Sequence, residues 1–286
     1  MKYNINDLLQ MLSYQRGQDT VAEKRFITKY IDSISGISKD GFGNRYKRVG
    51  SSNTAFSSHT DTVHSSHTSQ GQDVYVKGKY AMTDGHSILG ADDGTGVWLM
   101  LNMLHSGVPG LYVFHRMEEH GGRGSDYIAK TKLVGSSIKK AVAFDRRGYS
   151  DIITHQSGRR TCSDEFAKAL AKQLGGSFKP SSEGSFTDTK NYSDYIAECT
   201  NVSIGYTNAH SNDEIQDLQF AEKLIKKLIR VNWQSLPVVR KPGENDWKPH
   251  KTDNLYMYQQ ENKKPNPQDM WNYDADFWTG RGGGYY

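Results

Sequence analysis

Short apolar runs alternate with helix-like segments along most of this chain, and no other feature constrains the fold as strongly. The apolar runs lie at residues 54–58, 111–114, 141–144, 152–154 and 202–205. Helix candidates, several with apolar residues at three- and four-residue spacing, lie at 7–14, 20–31, 95–105, 124–131, 163–174 and 217–234. This alternation predicts an α/β fold with a mixed, mostly parallel central sheet and helices on both faces. A hairpin-like insertion is expected at residues 73–76 and 79–82.

The composition changes near the C-terminus. The chain has 286 residues, enough for one sizeable α/β domain and a small appendage. After Val239 it contains one Leu and no Val or Ile, but three Trp and five Tyr. A segment so poor in aliphatic residues cannot bury a core of its own. We therefore predict a main domain at residues 1–236 and an irregular, aromatic, Gly- and Pro-rich tail at 237–286. The aromatic residues of the tail could dock on a protein partner or on the chain's own surface, or the tail could be solvated.

Charge and cysteine content exclude several classes of protein. The 36 basic and 32 acidic residues are mixed along the chain and leave a net charge of +4, so a nucleic-acid partner is not expected. Cys162 and Cys199 cannot form a disulfide framework, and we expect two reduced thiols. No apolar stretch reaches the roughly 18 residues that a membrane-spanning helix needs. The sequence thus predicts a soluble, cytoplasmic protein with no membrane partner.

Acidic and histidine residues lie where the predicted strands end. His59 and Asp61 close the first run, Glu118 and Glu119 follow the second, Asp145 ends the third, His210 follows the last, and Asp92 and Asp93 precede a helix. In open α/β sheets, ligands bind beyond the carboxyl ends of the strands. Histidine nitrogens and carboxylate oxygens are suitable ligands for zinc or a similar divalent ion. The order and placement of these residues therefore predict a metal site.

Each residue alone has a simpler interpretation. His59 could be a surface histidine, the pair Asp92-Asp93 could cap a helix, and Glu118-Glu119 could lie in a solvated loop. Asp145 could belong to an ion-pair cluster with the arginines that follow it. These arginines, Arg146, Arg147, Arg159 and Arg160, could equally line a pocket or carry surface charge.

In order along the chain, the motifs read H-x-D, G-A-D-D-x-x-G, E-E-x-G-G, a strand-terminal D and H-S-x-x-E. Over roughly residues 1–235 this pattern resembles the co-catalytic zinc exopeptidases, which include tripeptidase T, carboxypeptidase G and the zinc aminopeptidases. The resemblance implies two divalent ions. Zinc is the expected metal, and cobalt or manganese are the alternatives. It implies that His59 and Asp145 bind one ion, that Glu119 and His210 bind the other, and that Asp92 bridges both. Glu118 then resembles the general base, and Asp61 the carboxylate that orients His59.

The resemblance also implies an activity. Metal-activated water would cleave a peptide bond of a small peptide, as in an exopeptidase, aminopeptidase or tripeptidase. Members of this family that have a lid domain carry it as an insertion between the fourth and fifth motifs. Here the residues between Asp145 and His210 are too few for such a domain and are expected to continue the catalytic domain. An amidohydrolase that acts on N-acyl amino acids would share this mechanism and differ only in its pocket. A catalytically silent, peptidase-like binding or structural protein is the alternative from another class.

Overall fold

The computed structural model describes residues 2–65 and 71–243. The strands in these residues are β1 (Ser38–Lys39), β2 (Arg45–Val49), β3 (Thr54–His59), β4 (Tyr75–Lys77), β5 (Tyr80–Met82), β6 (Gly110–His115), β7 (Lys140–Arg146), β8 (Asp151–Ile153), β9 (His155–Gln156), β10 (Arg159–Arg160), β11 (Lys179–Ser181), β12 (Glu198–Ser203), β13 (Tyr206–Thr207) and β14 (Ile215–Asp217). The helices are α1 (Ile5–Leu12), α2 (Val21–Phe26), α3 (Ala91–His105), α4 (Arg123–Thr131), α5 (Asp164–Leu174) and α6 (Leu218–Leu228). A π-helical turn, Ile27–Ile31, extends α2, and 3-10 turns occur at Asp188–Tyr192 and Trp233–Ser235.

The main sheet has eight strands in the order β1-β2-β6-β3-β7-β12-β8-β11. Its centre is parallel, because β3 pairs in parallel with both β6 and β7, and β7 pairs in parallel with β12. Antiparallel pairings occur between β1 and β2, β2 and β6, and β12 and β8. Strands β3, β6 and β12 are buried along their whole length, as expected for a sheet covered on both faces.

Helices cover both faces of this sheet. On one face, Phe56 of β3 belongs to a core that includes Trp98 of α3. The preceding residue, Ala55, points to the opposite face of the sheet. There it belongs to a second core that includes Ile128 of α4. Successive residues of a strand face opposite sides of the sheet, so one strand contributes to both cores. The predicted α/β class, with a mixed, mostly parallel sheet between helices, is confirmed.

Side-chain caps define where several helices begin. The Asn4 side chain accepts hydrogen bonds from the first turn of α1, and the Asp7 carboxylate accepts one from the Asn4 N–H to complete a capping box. Ser163 caps α5 and Asp217 caps α6 in the same way, each accepting from a main-chain N–H three residues later. These caps satisfy N–H groups that have no partner inside the helix.

Two of the differences from the sequence-based prediction concern the bounds of the last strand and the last helix that were predicted. The last helix ends at Leu228 rather than at residue 234. The strand predicted at 202–205 begins instead at Glu198. The apolar pattern misses the first four residues of this strand because three of them are polar. The first, Glu198, is a buried carboxylate that accepts hydrogen bonds from Ser163, Val239 and Arg240. The predicted hairpin is present as β4 and β5, which join a second sheet in the order β13-β14-β5-β4.

The beginning of the predicted tail packs on the body of the protein. Arg240 is buried, and its guanidinium donates hydrogen bonds to the main-chain oxygens of Thr161, Ser193, Ile196 and Ala197. Residues 2–65 and 71–243 belong to one compact unit. Residues beyond Gly243 lie outside the described part of the chain, so the tail's partner stays a prediction. Within the described residues, no helix is long and apolar enough to cross a membrane.

We expect Arg240→Met to lower the free energy of unfolding by about 2 kcal/mol, because buried carbonyl groups lose their hydrogen-bond donors. Urea denaturation of the full chain measures this. Arg230→Met is the matched control, since Arg230 is exposed at the end of α6. Equal urea midpoints for Arg240→Met and Arg230→Met would contradict the role of Arg240 in holding the start of the tail on the body of the protein.

Candidate metal centre

The predicted site residues meet at the carboxyl ends of three adjacent strands. His59 is the last residue of β3, which lies between β6 and β7. Asp145 is near the end of β7, and Glu118 and Glu119 follow β6 in the next loop. The main-chain N–H of Asp145 donates to the Asn201 side chain, which fixes this strand end. The parallel register thus brings together residues that are far apart in sequence.

Asp92 lies between two histidines. Its Oδ1 is 3.1 Å from His59 Nε2, and its Oδ2 is 3.3 Å from His210 Nε2. Asp92 and Asp93 are joined by a cis peptide bond at the start of α3. His59 Nε2 is also 3.6 Å from Asp145 Oδ1, and His210 Nε2 is 3.0 Å from Glu119 Oε1. One carboxylate therefore links two histidines, each with a second acidic partner.

These side chains form three overlapping groups with the composition of metal sites. In each group the candidate ligand atoms lie within 4.8 Å of one another. The groups are His59 with Asp93 and Asp145, His59 with Glu118 and Glu119, and Asp92 with Glu119 and His210. All five predicted metal ligands occur in them, together with Glu118 and Asp93.

Asp61 holds the first histidine and the acidic loop in place. His59 Nδ1 lies 3.0 Å from the main-chain oxygen of Asp61, which can only accept a hydrogen bond. The Nδ1 nitrogen must therefore carry a proton, and Nε2 faces Asp92. The buried Asp61 carboxylate accepts the main-chain N–H groups of Glu118 and Glu119, each at 3.2 Å. Asp61 thus positions three candidate site residues, His59 through its main-chain oxygen and Glu118 and Glu119 through its carboxylate.

Asp93 has a different environment from Asp92. It is fully buried and accepts hydrogen bonds from the N–H groups of His59 and Gly96. A Cβ atom at Gly96 would lie 2.1 Å from both Asp93 Oδ1 and the Phe144 oxygen, so only glycine fits there. Asp93 is therefore engaged by main-chain donors, whereas Asp92 faces both histidines.

Two further residues support the site although the sequence analysis gave them no role. Glu214 is buried and accepts the N–H groups of Gly90 and Asp92, at 2.7 and 3.0 Å. Arg16 is buried and donates to the main-chain oxygens of Thr60 and Gly90, as well as to α1. Glu214 could have been found as the last residue of the H-S-x-x-E motif. For Arg16 the sequence offers no comparable signal.

The electrostatics reflect the crowding of carboxylates. Burial, together with the charge of Asp92, raises the pKa of Asp145 to about 7. Burial likewise raises the pKa of Glu118 well above its usual range. For Asp92, hydrogen bonds from His210 and His59 outweigh burial and lower the pKa. Hydrogen bonds to Asp92 and Glu119 raise the pKa of His210 to about 11. The site has a strong local preference for positive charge.

The site opens into a cavity of about 340 Å³. Its lining comprises Asp92, Glu118, Glu119, Asp145, Arg146, Arg147, Glu183, Ser185, Phe186, Tyr206, Ala209 and His210. The sequence left open whether four arginines line a pocket. Arg146 and Arg147 do, whereas Arg159 and Arg160 form ion pairs with Asp194 and Asp164.

Known structures share this fold, although no family model and no curated protein matches the sequence. Aminopeptidase PepT from Bacillus cereus matches with a TM-score of 0.65 and 14% identity, over 79% of this chain and 96% of that one. A tripeptidase from Staphylococcus aureus matches with a TM-score of 0.65 and 14% identity, over 80% and 96%. An aminopeptidase from the archaeon Desulfurococcus kamchatkensis matches with a TM-score of 0.60 and 14% identity, over 82% of this chain and 96% of that one. The chain has the fold of these aminopeptidases.

We expect Glu214→Gln to lower the free energy of unfolding by about 1–2 kcal/mol, because an amide has one acceptor oxygen for two main-chain donors. Thermal unfolding measures the change. Glu165→Gln, an exposed position on α5, is the control for the loss of one charge. If both variants melt at the same temperature, Glu214 does not support the loop that carries Asp92.

Proposed function

We propose that this protein hydrolyses peptide bonds with the help of two divalent cations, for which zinc is the expected metal. The observation that carries the proposal is the position of Asp92, whose two oxygens face His59 and His210 separately. Each histidine has a further carboxylate partner. The likeness in fold to proteins described as an aminopeptidase and a tripeptidase supports the peptide as substrate.

The chemistry of the donor atoms fits metal ions. Because Nδ1 of His59 donates to a carbonyl, the lone pair of neutral Nε2 faces Asp92 Oδ1 at 3.1 Å. Two acceptors at that distance need a cation or a proton between them. A histidine that binds a metal through one ring nitrogen commonly donates its other N–H to a carbonyl or carboxylate, as His59 does to Asp61.

The ligands divide into two sets around Asp92. His59 and Asp145 would hold one ion, and Glu119 and His210 would hold the other. Asp92 would contact both through its separate oxygens. This division follows the contacts of the two histidines and agrees with what the sequence resemblance implies. Two such ions, when bound, supply a water molecule of lowered pKa and polarise the carbonyl group of the substrate.

Glu118 is suited to move the proton. Its carboxylate lines the cavity and lies 4.0 Å from His59 Nε2. Within residues 2–65 and 71–243 it makes no hydrogen bond, whereas Glu119 contacts His210. Glu118 would therefore accept the proton of the attacking water and return it to the leaving amine. The two neighbouring glutamates can divide these roles because Asp61 fixes both main-chain N–H groups.

We expect Glu118→Gln to keep the fold and the metal content but to lower turnover by a factor on the order of 100–10,000, because the base is lost. Glu119→Gln should instead weaken the binding of one metal ion. Steady-state assays on tripeptides, aminoacyl-anilides and N-acyl amino acids, with elemental analysis of each variant, measure both effects. Glu165→Gln is the exposed control.

The same assays separate the alternatives. Turnover of N-acyl amino acids alone would assign the protein as an amidohydrolase of acylated metabolites. Bound metal without turnover of any amide would indicate a binding or structural role. Full activity of Glu118→Gln would contradict the division of roles between the two glutamates.

A further inference from the structure

The cavity wall carries two arginines next to the acidic centre, and they differ in their partners. Arg146 donates two hydrogen bonds to Asp151 Oδ2, at 3.0 and 3.1 Å. Its charge is therefore balanced within the fold. Arg147 is exposed, and among residues 2–65 and 71–243 no carboxylate forms an ion pair with its guanidinium.

The main chain at Arg147 is held firmly although its side chain is not paired. Ser203 Oγ donates to the Arg147 oxygen at 2.8 Å, and the Gly148 N–H donates to the Tyr206 oxygen at 2.7 Å. Arg147 follows β7 directly, and it lines the same cavity as Asp145. A fixed backbone thus presents a cationic group at the wall of the cavity.

The charges of the cavity lining indicate what the Arg147 guanidinium could bind. The carboxylates of Asp92, Glu118, Glu119 and Asp145 would together balance two divalent ions. Arg147 then remains as a positive charge on the wall, and the exposed Glu183 on another part of the lining is negative. A guanidinium has a planar set of donors that matches a carboxylate in a two-point contact. A short peptide carries one carboxylate and one ammonium group, so its charges complement this lining.

We propose that Arg147 binds the terminal carboxylate of the substrate and so makes the enzyme selective for short peptides with a free C-terminus. This rests on the proposed function, because the carboxylate must belong to a peptide whose scissile bond lies at the acidic centre. Arg147 is a specificity determinant and takes no part in moving protons.

The test compares trialanine with trialanine amide, which differ only in the terminal charge. The zinc-loaded wild type, Arg147→Met, Arg147→Lys and Arg230→Met are assayed on both peptides, and the ratio of the two kcat/KM values is the readout. We expect the wild type to favour the free acid by about 10- to 100-fold, the range for a hydrogen-bonded contact with a charged group. Most of this preference should appear in KM.

In Arg147→Met the ratio should fall to about 1, while Arg147→Lys should retain part of it because the charge remains. Arg230→Met should behave as the wild type. A wild type that cleaves both peptides equally, or an Arg147→Met variant with an unchanged ratio, would overturn the role of Arg147 and leave the proposed function standing. A wild type that cleaves neither peptide would reject both proposals.

Discussion

Carboxylates crowd at one buried edge of the central sheet, and the organisation of the site depends on how their repulsion is offset. The ligand atoms of Asp92 and Glu119 lie within 4.8 Å of each other, as do those of Glu118 and Glu119. Unit charges about 4 Å apart repel by about 4 kcal/mol at an effective dielectric constant near 20. Two histidines can offset only part of this repulsion. Divalent cations between the carboxylates would remove it, which is why the geometry favours a metal centre over a purely structural ion-pair network.

The protein holds this unfavourable arrangement in place through main-chain contacts. Asp61 accepts the N–H groups of Glu118 and Glu119, and Glu214 accepts those of Gly90 and Asp92. Such contacts fix the backbone of the acidic loops before any cation is bound. A site whose supporting groups are already positioned loses little conformational entropy when its ligands close around an ion.

The sequence predicts the class of fold and the residues of the candidate site, but it does not predict every strand or every residue that supports the site. The order of apolar runs and helices predicts the mixed sheet, because burial on both faces leaves a strong hydrophobic signal. The strand that begins at Glu198 escapes this reasoning, since its buried charge is stabilised by residues distant in sequence. The acidic and histidine motifs identify the residues that the structure brings together. The supporting role of Arg16 is not predicted because its partners are main-chain oxygens, and these produce no recognisable pattern in the sequence.

The proposed position of Asp92 is between two metal ions. Anomalous diffraction from zinc-soaked crystals of the full chain, recorded on both sides of the zinc absorption edge, tests it most directly. We expect two zinc peaks about 3.5–4 Å apart, the spacing of co-catalytic pairs, each within bonding distance of a different oxygen of Asp92. The first peak should contact His59 and Asp145, and the second Glu119 and His210. A single peak, or two peaks of which only one is within bonding distance of Asp92, would contradict this position of Asp92.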